Sequence, residues 1–152
     1  MLNEDYKEML QIFLNDKVKF LIVGAYAMSS YGYPRATGDL DLWVEASQEN
    51  SEKLYQSLSE FGSPLEHITK NTFCEEGIIF QIGIAPRRID IITKIDGVDF
   101  QQAYLEKEEI EIEGLLIPFL SKENLIKNKE CTGREKDKLD AHYLRQNNEN
   151  EM

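Results

Sequence analysis

Phe20-Leu21-Ile22-Val23 is an unbroken apolar run that ends at Gly24-Ala25. A run of this kind, closed by a glycine, predicts a strand over 18–23 that is buried on both faces. Thirteen residues separate Ala25 from Asp39-Leu40-Asp41, which is followed by Leu42-Trp43-Val44. Successive side chains of a strand point to opposite faces, so Asp39 and Asp41 share a face about 7 Å apart along the chain. Leu40 and Leu42 then point the other way, into a core. Two carboxylates side by side repel each other and need either a cation between them or solvent around them. A solvated strand edge would serve as well as a metal, and the tripeptide alone does not choose.

The rest of the chain supplies the elements around this stretch. Asn3 can cap a first helix, with Tyr6, Met9, Leu10 and Phe13 at helical spacing. A short helix over 25–31 follows the first strand, and Gly32 with Tyr33-Pro34 ends it. A second strand over Asp39 to Glu45 leads to a helix that starts at Ser47 and stops at Phe61-Gly62. Strands follow over 78–82 and 88–92, then a short helix over Asp99 to Tyr104. Glu109-Ile110-Glu111-Ile112-Glu113 alternates as a half-exposed strand and turns at Gly114 into a hairpin partner, Leu115 to Phe119. Ser121 caps a helix. A last helix over Arg134 to Arg145 is expected to carry Leu139, Tyr143 and Leu144 inside. The fold class is therefore α/β (α+β), a mixed twisted sheet with helices packed on it and two C-terminal helices. One domain over 1–146 is expected, with 147–152 a disordered polar tail.

Composition narrows the function. The 152 residues suit one domain with a real core. No apolar run approaches the roughly 20 residues of a membrane span. Cys74 and Cys131 are widely separated and form no disulfide framework or zinc site, which fits reduced thiols in a cytoplasmic protein. His67 has no second ligand near it in sequence. The net charge of −11 argues against general DNA or RNA binding by the whole surface. Basic residues cluster instead at Lys122, Lys127, Lys129, Arg134, Lys136 and Lys138, which fits a local site for a small polyanion. Asp90 stands in the middle of the β-branched run Arg88-Ile89-Asp90-Ile91-Ile92, opposite Ile89 and Ile91. A carboxylate there needs water, a positive charge or a metal. An ion pair to Arg88 or Arg35 and a metal site are both open.

Taken together, a strand closed by a glycine turn, a helix, Asp-x-Asp on the next strand and a third Asp on a later one form a specific combination. Three carboxylates from adjacent strands can hold two divalent ions that clamp a triphosphate. A glycine turn at a helix start offers backbone N–H groups to phosphate. In these pieces, Gly24-Ala25, Asp39-Leu40-Asp41 and Asp90, the sequence resembles the nucleotidyltransferase superfamily related to DNA polymerase β. More narrowly, it resembles a small bacterial group that includes abortive-infection and toxin-type nucleotidyltransferases. The segment Arg35-Ala36-Thr37-Gly38-Asp39-Leu40-Asp41 carries that likeness, as does Asn128-Lys129 followed by Gly133-Arg134-Glu135-Lys136-Asp137-Lys138-Leu139-Asp140. The likeness runs from about Phe20 to Leu144. Ala25 departs from it, since many members place a serine hydroxyl there, and the C-terminal helical region is short.

The resemblance implies a metal-dependent enzyme that moves an NMP from an NTP to an acceptor hydroxyl and releases pyrophosphate. Asp39 and Asp41 would bind two Mg2+ (or Mn2+) ions. Asp90 would bind one of them and assist deprotonation of the acceptor. Gly24, Ala25, Arg35 and Thr37 would contact the nucleotide, and Lys129 and Lys136 would face the triphosphate, a basic helix surface being the alternative for both lysines. Asp137 and Asp140 would orient these bases, and Trp43 would pack in the core. The acceptor could be a small molecule, a protein or a tRNA end. The resemblance also admits a protein-binding module, half of a toxin–antitoxin or phage-defence pair, with weak or no catalysis.

Overall fold

The computed structural model describes residues 2–33 and 38–150, with 147–150 as backbone alone. Arg35 and Thr37 lie outside the described residues. The six helices and six strands among the described residues run α1 (Glu4–Asn15), β1 (Phe20–Val23), α2 (Gly24–Ser30), β2 (Leu40–Val44), α3 (Gln48–Phe61), β3 (Ile79–Ile82), β4 (Ile89–Ile92), α4 (Phe100–Leu105), β5 (Glu108–Ile112), β6 (Leu115–Phe119), α5 (Lys122–Cys131) and α6 (Glu135–Asn150). No helix among the described residues is long and apolar enough to cross a membrane.

The strands form one mixed sheet in the order β3-β4-β2-β1-β6-β5. β2 lies centrally, antiparallel to β1 and parallel to β4. The register sets Ile22 opposite Leu42, Val23 opposite Asp41, and Asp41 opposite Asp90. Paired residues share a face, so Leu40, Leu42, Ile89 and Ile91 look one way with Phe20 and Ile22, and all six are buried. Phe13 of α1 meets Phe20 edge-on on that side. Asp41, Trp43 and Asp90 look the other way. Trp43 is buried there against Phe100 of α4, the core role expected for it.

Side-chain caps start the helices where the sequence placed them. Asn3, Ser47, Asp99 and Ser121 each accept a bond from a backbone N–H in the first turn. The hairpin of β5 and β6 pairs as expected, and the glutamates of β5 are exposed. His67 lies exposed in a turn.

The last helix differs from its expectation. It is helical to Asn150, past the expected end at Arg145. Leu139, expected inside, is 69% exposed. The buried stripe of α6 is instead Asp137, Asp140, Ala141 and Leu144, a spacing that defines one helical face. Cations from the preceding helix and turn make that burial of carboxylates tolerable.

Candidate active site

Three elements converge at the C-terminal end of β1. The chain leaves Val23 and turns at Gly24, which has φ +71°, a conformation that strains residues with a side chain. A Cβ there would also collide with the carboxylate of Asp41. The missing side chain lets the backbone turn pass directly over the aspartate. No side chain caps the first turn of α2 that begins here.

Asp39 comes from the bend before β2, Asp41 from β2 and Asp90 from β4, and all three line one cleft of about 560 Å3. Gly24, Ala25, Lys129 and Lys136 line it as well. The cleft thus brings together every expected site residue that the structure describes. A larger cavity of about 670 Å3 lies elsewhere, between Tyr31, Glu108 and Lys122, and holds none of these residues.

The electrostatics of the acidic floor are uneven. Burial, then the nearby charges of Asp90 and Asp39, push the Asp41 carboxyl up to about 7. Arg88 bridges the other two carboxylates. Its Nη2 lies 3.0 Å from Asp39 Oδ2. Its Nε donates to Asp90 Oδ1 at 2.7 Å and its Nη2 to Asp90 Oδ2 at 3.2 Å. The Arg88 backbone N–H also donates to Asp39 Oδ1 at 3.2 Å. Of the two alternatives open for Asp90, the ion pair to Arg88 is therefore formed.

The opposite wall is built from α5 and α6. Lys129 Nζ lies 3.3 Å from Asp137 Oδ1 and 3.5 Å from Asp140 Oδ2. Asp137 also accepts from Arg134 Nε and from Thr132 Oγ1, each at 2.7 Å. Burial works against the Asp137 charge, but Thr132, Lys129 and Arg134 outweigh it and hold the carboxyl below its ordinary range. The side chain of Lys129 is only 12% exposed, whereas Lys136 stands exposed on the rim.

Sequence reasoning gave Arg88 only a structural role, left Arg134 unassigned and missed Tyr6. The buried Tyr6 hydroxyl of α1 lies 2.9 Å from Gly38 O, 3.3 Å from Pro86 O and 3.2 Å from Arg88 O. It ties together the two segments that carry Asp39 and Arg88. Arg88 was visible as a base two residues before Asp90 on the same strand face. Nothing local in the sequence signals the Tyr6 contacts, which span up to 82 residues.

A family model described as "Nucleotidyl transferase of unknown function (DUF2204)" matches residues 2–151. The chain is also similar to the crystal structure of a candidate nucleotidyltransferase from Thermotoga maritima, at 20% sequence identity and a TM-score of 0.63. That alignment covers 96% of this chain and 94% of the other, and it shows the same fold. No curated protein matches the chain.

Proposed function

Since this chain belongs to that nucleotidyl transferase family, we propose that its cleft moves a nucleoside monophosphate from an NTP to an acceptor hydroxyl and releases pyrophosphate. Asp39, Asp41 and Asp90 would hold divalent metal ions, two Mg2+ or Mn2+. The observation that carries this reading is one cleft in which the carboxylates of adjacent strands face the Gly24-Ala25 turn and the basic wall of Lys129, Arg134 and Lys136.

Two facts bear on whether these residues suit a metal. The raised Asp41 carboxyl marks a floor short of positive charge, and a set of carboxylate oxygens is what a hard divalent cation selects. As they stand, no three such side chains among the described residues are grouped to hold an ion, and Arg88 lies between Asp39 and Asp90. The donor chemistry fits. Bound there, the ions would supply positive charge to the phosphates and lower the pKa of the attacking hydroxyl.

The chain's own residues then divide the work. The Gly24 turn lays bare backbone against Asp41, whose carboxylate fills the space a side chain would take. Lys136 offers a point charge to the triphosphate from the rim. Lys129, engaged with Asp137 and Asp140, orients the basic wall more than it touches phosphate. Asp90 accepts the proton of the acceptor hydroxyl as its oxygen attacks the α-phosphorus. The bond from the α-phosphorus to the bridging oxygen breaks, and pyrophosphate leaves.

The test uses α-labelled NTPs with Mg2+ or Mn2+ and pools of small metabolites, proteins and tRNA as acceptors. Wild type should transfer label to one pool, and Asp41→Asn should transfer about 1000-fold less, the scale for losing a group that organises charge in the transition state. Should both proteins behave alike with all four nucleotides, and neither bind nucleotide, the enzyme reading fails.

A further inference from the structure

Arg88 occupies the atoms that a metal ion would need. Both oxygens of Asp39 and both oxygens of Asp90 accept a contact from this one residue. Three of those four contacts come from the guanidinium, whose planar fork can span two carboxylates from different strands. Its side chain is 31% exposed, so leaving the pair requires no unpacking of the core. The remaining contact, from the Arg88 backbone N–H, holds Asp39 in place whether or not the guanidinium is there.

From this geometry we infer that Arg88 is a tethered cation that trades places with a divalent ion: it bridges Asp39 and Asp90 while the site is empty of metal and leaves them when an ion binds. The inference rests on the metal-dependent reading above. Two positive groups cannot share the same three oxygens at short range without repulsion. Entry of the ion and departure of the guanidinium are thus one event. The bridge acts as a competitor built into the chain, and it lowers apparent metal affinity by the fraction of time it is closed. It also keeps two buried-side carboxylates paired between turnovers, which avoids the penalty of leaving them uncompensated.

The experiment measures Mn2+ binding without nucleotide, from the electron paramagnetic resonance signal of the free ion, on the full chain. Arg88→Ala should bind Mn2+ about tenfold more tightly than wild type, the change expected if the bridge is closed about nine-tenths of the time. Arg88→Lys keeps the charge but loses the fork and should fall between the two. Arg87→Ala removes an equal charge from an exposed neighbour and should stay within about twofold of wild type. In wild type, the Arg88 Nε–H resonance should shift and exchange faster as Mg2+ is added.

Equal or weaker binding by Arg88→Ala, with its fold verified by circular dichroism, overturns the exchange. So does an equal tightening by Arg87→Ala, which would reduce the effect to net charge. If wild type binds Mn2+, Asp41→Asn does not, and Arg88→Ala matches wild type, then the metal reading stands and the exchange alone fails. If no form of the protein binds Mn2+, both fall together.

Discussion

Aspartates face the cleft from both walls, and the same side chain behaves in opposite ways on each. On the α5–α6 wall, Asp137 is 5% exposed and Asp140 1% exposed at the side chain. Lys129 lies between them, Arg134 and Thr132 add to Asp137, and its carboxyl is held below the ordinary range. On the β2–β4 floor, Asp41 is pushed up to about 7 by burial and by Asp90 and Asp39. Arg88 is the neighbour that works against that rise. Burial pushes both carboxyls up, and it is the largest cause at Asp41. The neighbours separate them: at Asp41 the nearby carboxylates add to the rise, and at Asp137 Thr132, Lys129 and Arg134 outweigh it. One wall carries its own counter-ions and is finished as a piece of structure. The floor has three carboxylates around one guanidinium, a composition that suits a site completed from outside.

The largest effect that could break this contrast is on the finished wall. Lys129→Ala leaves Asp137 and Asp140 without their shared cation, and stability should fall by about 3 kcal/mol in urea unfolding at pH 7. A loss under about 0.5 kcal/mol would show that the wall does not depend on its internal charges.

The floor should respond with the opposite sign. The folded state keeps a proton on Asp41 that the unfolded chain releases, so its contribution is full below the ordinary value of 3.8 and is lost as pH climbs toward about 7. Asp41→Asn removes that pH-dependent loss. In EDTA it should be more stable than wild type by about 2 kcal/mol at pH 8, with no gain at pH 3.5. Thermal melts at the two pH values measure this, and a destabilised variant at pH 8 would erase the contrast.

The smallest effect concerns how the floor is held. Tyr6→Phe removes one hydroxyl shared among Gly38, Pro86 and Arg88 carbonyls. Stability should drop by about 1 kcal/mol, and the Arg88 Nε–H signal should broaden as the bridge loosens. An unchanged signal would mean that the tie is structural filling only.

Much of the floor could be read from the sequence because strand alternation is a local rule. Asp39, Leu40, Asp41 and Leu42 announce their faces, and so do Ile89, Asp90 and Ile91. That Asp41 and Asp90 meet depends on β2 and β4 being neighbours in the sheet, which no local pattern contains; the family resemblance supplied it. The other wall was harder. A helix that buries Asp137 and Asp140 while exposing Leu139 breaks the rule that apolar residues mark the inner face. The reason, a lysine on the preceding helix, lies outside the helix being read. The stretch over 34–37, with Arg35 and Thr37, lies outside the described residues, so their expected contacts with nucleotide stay proposals.

Gly24 has a consequence for how such a chain can evolve. Any replacement of a glycine by another residue introduces a side chain. At this position every one of them would meet both a left-handed backbone, at φ +71°, and the carboxylate of Asp41. Ala25, one residue on, stands where the family resemblance implies serine, so that position takes a side chain. The turn therefore pairs a position closed to side chains with one that carries one. Selection for the cleft's shape should be legible as invariance at the first and variation at the second.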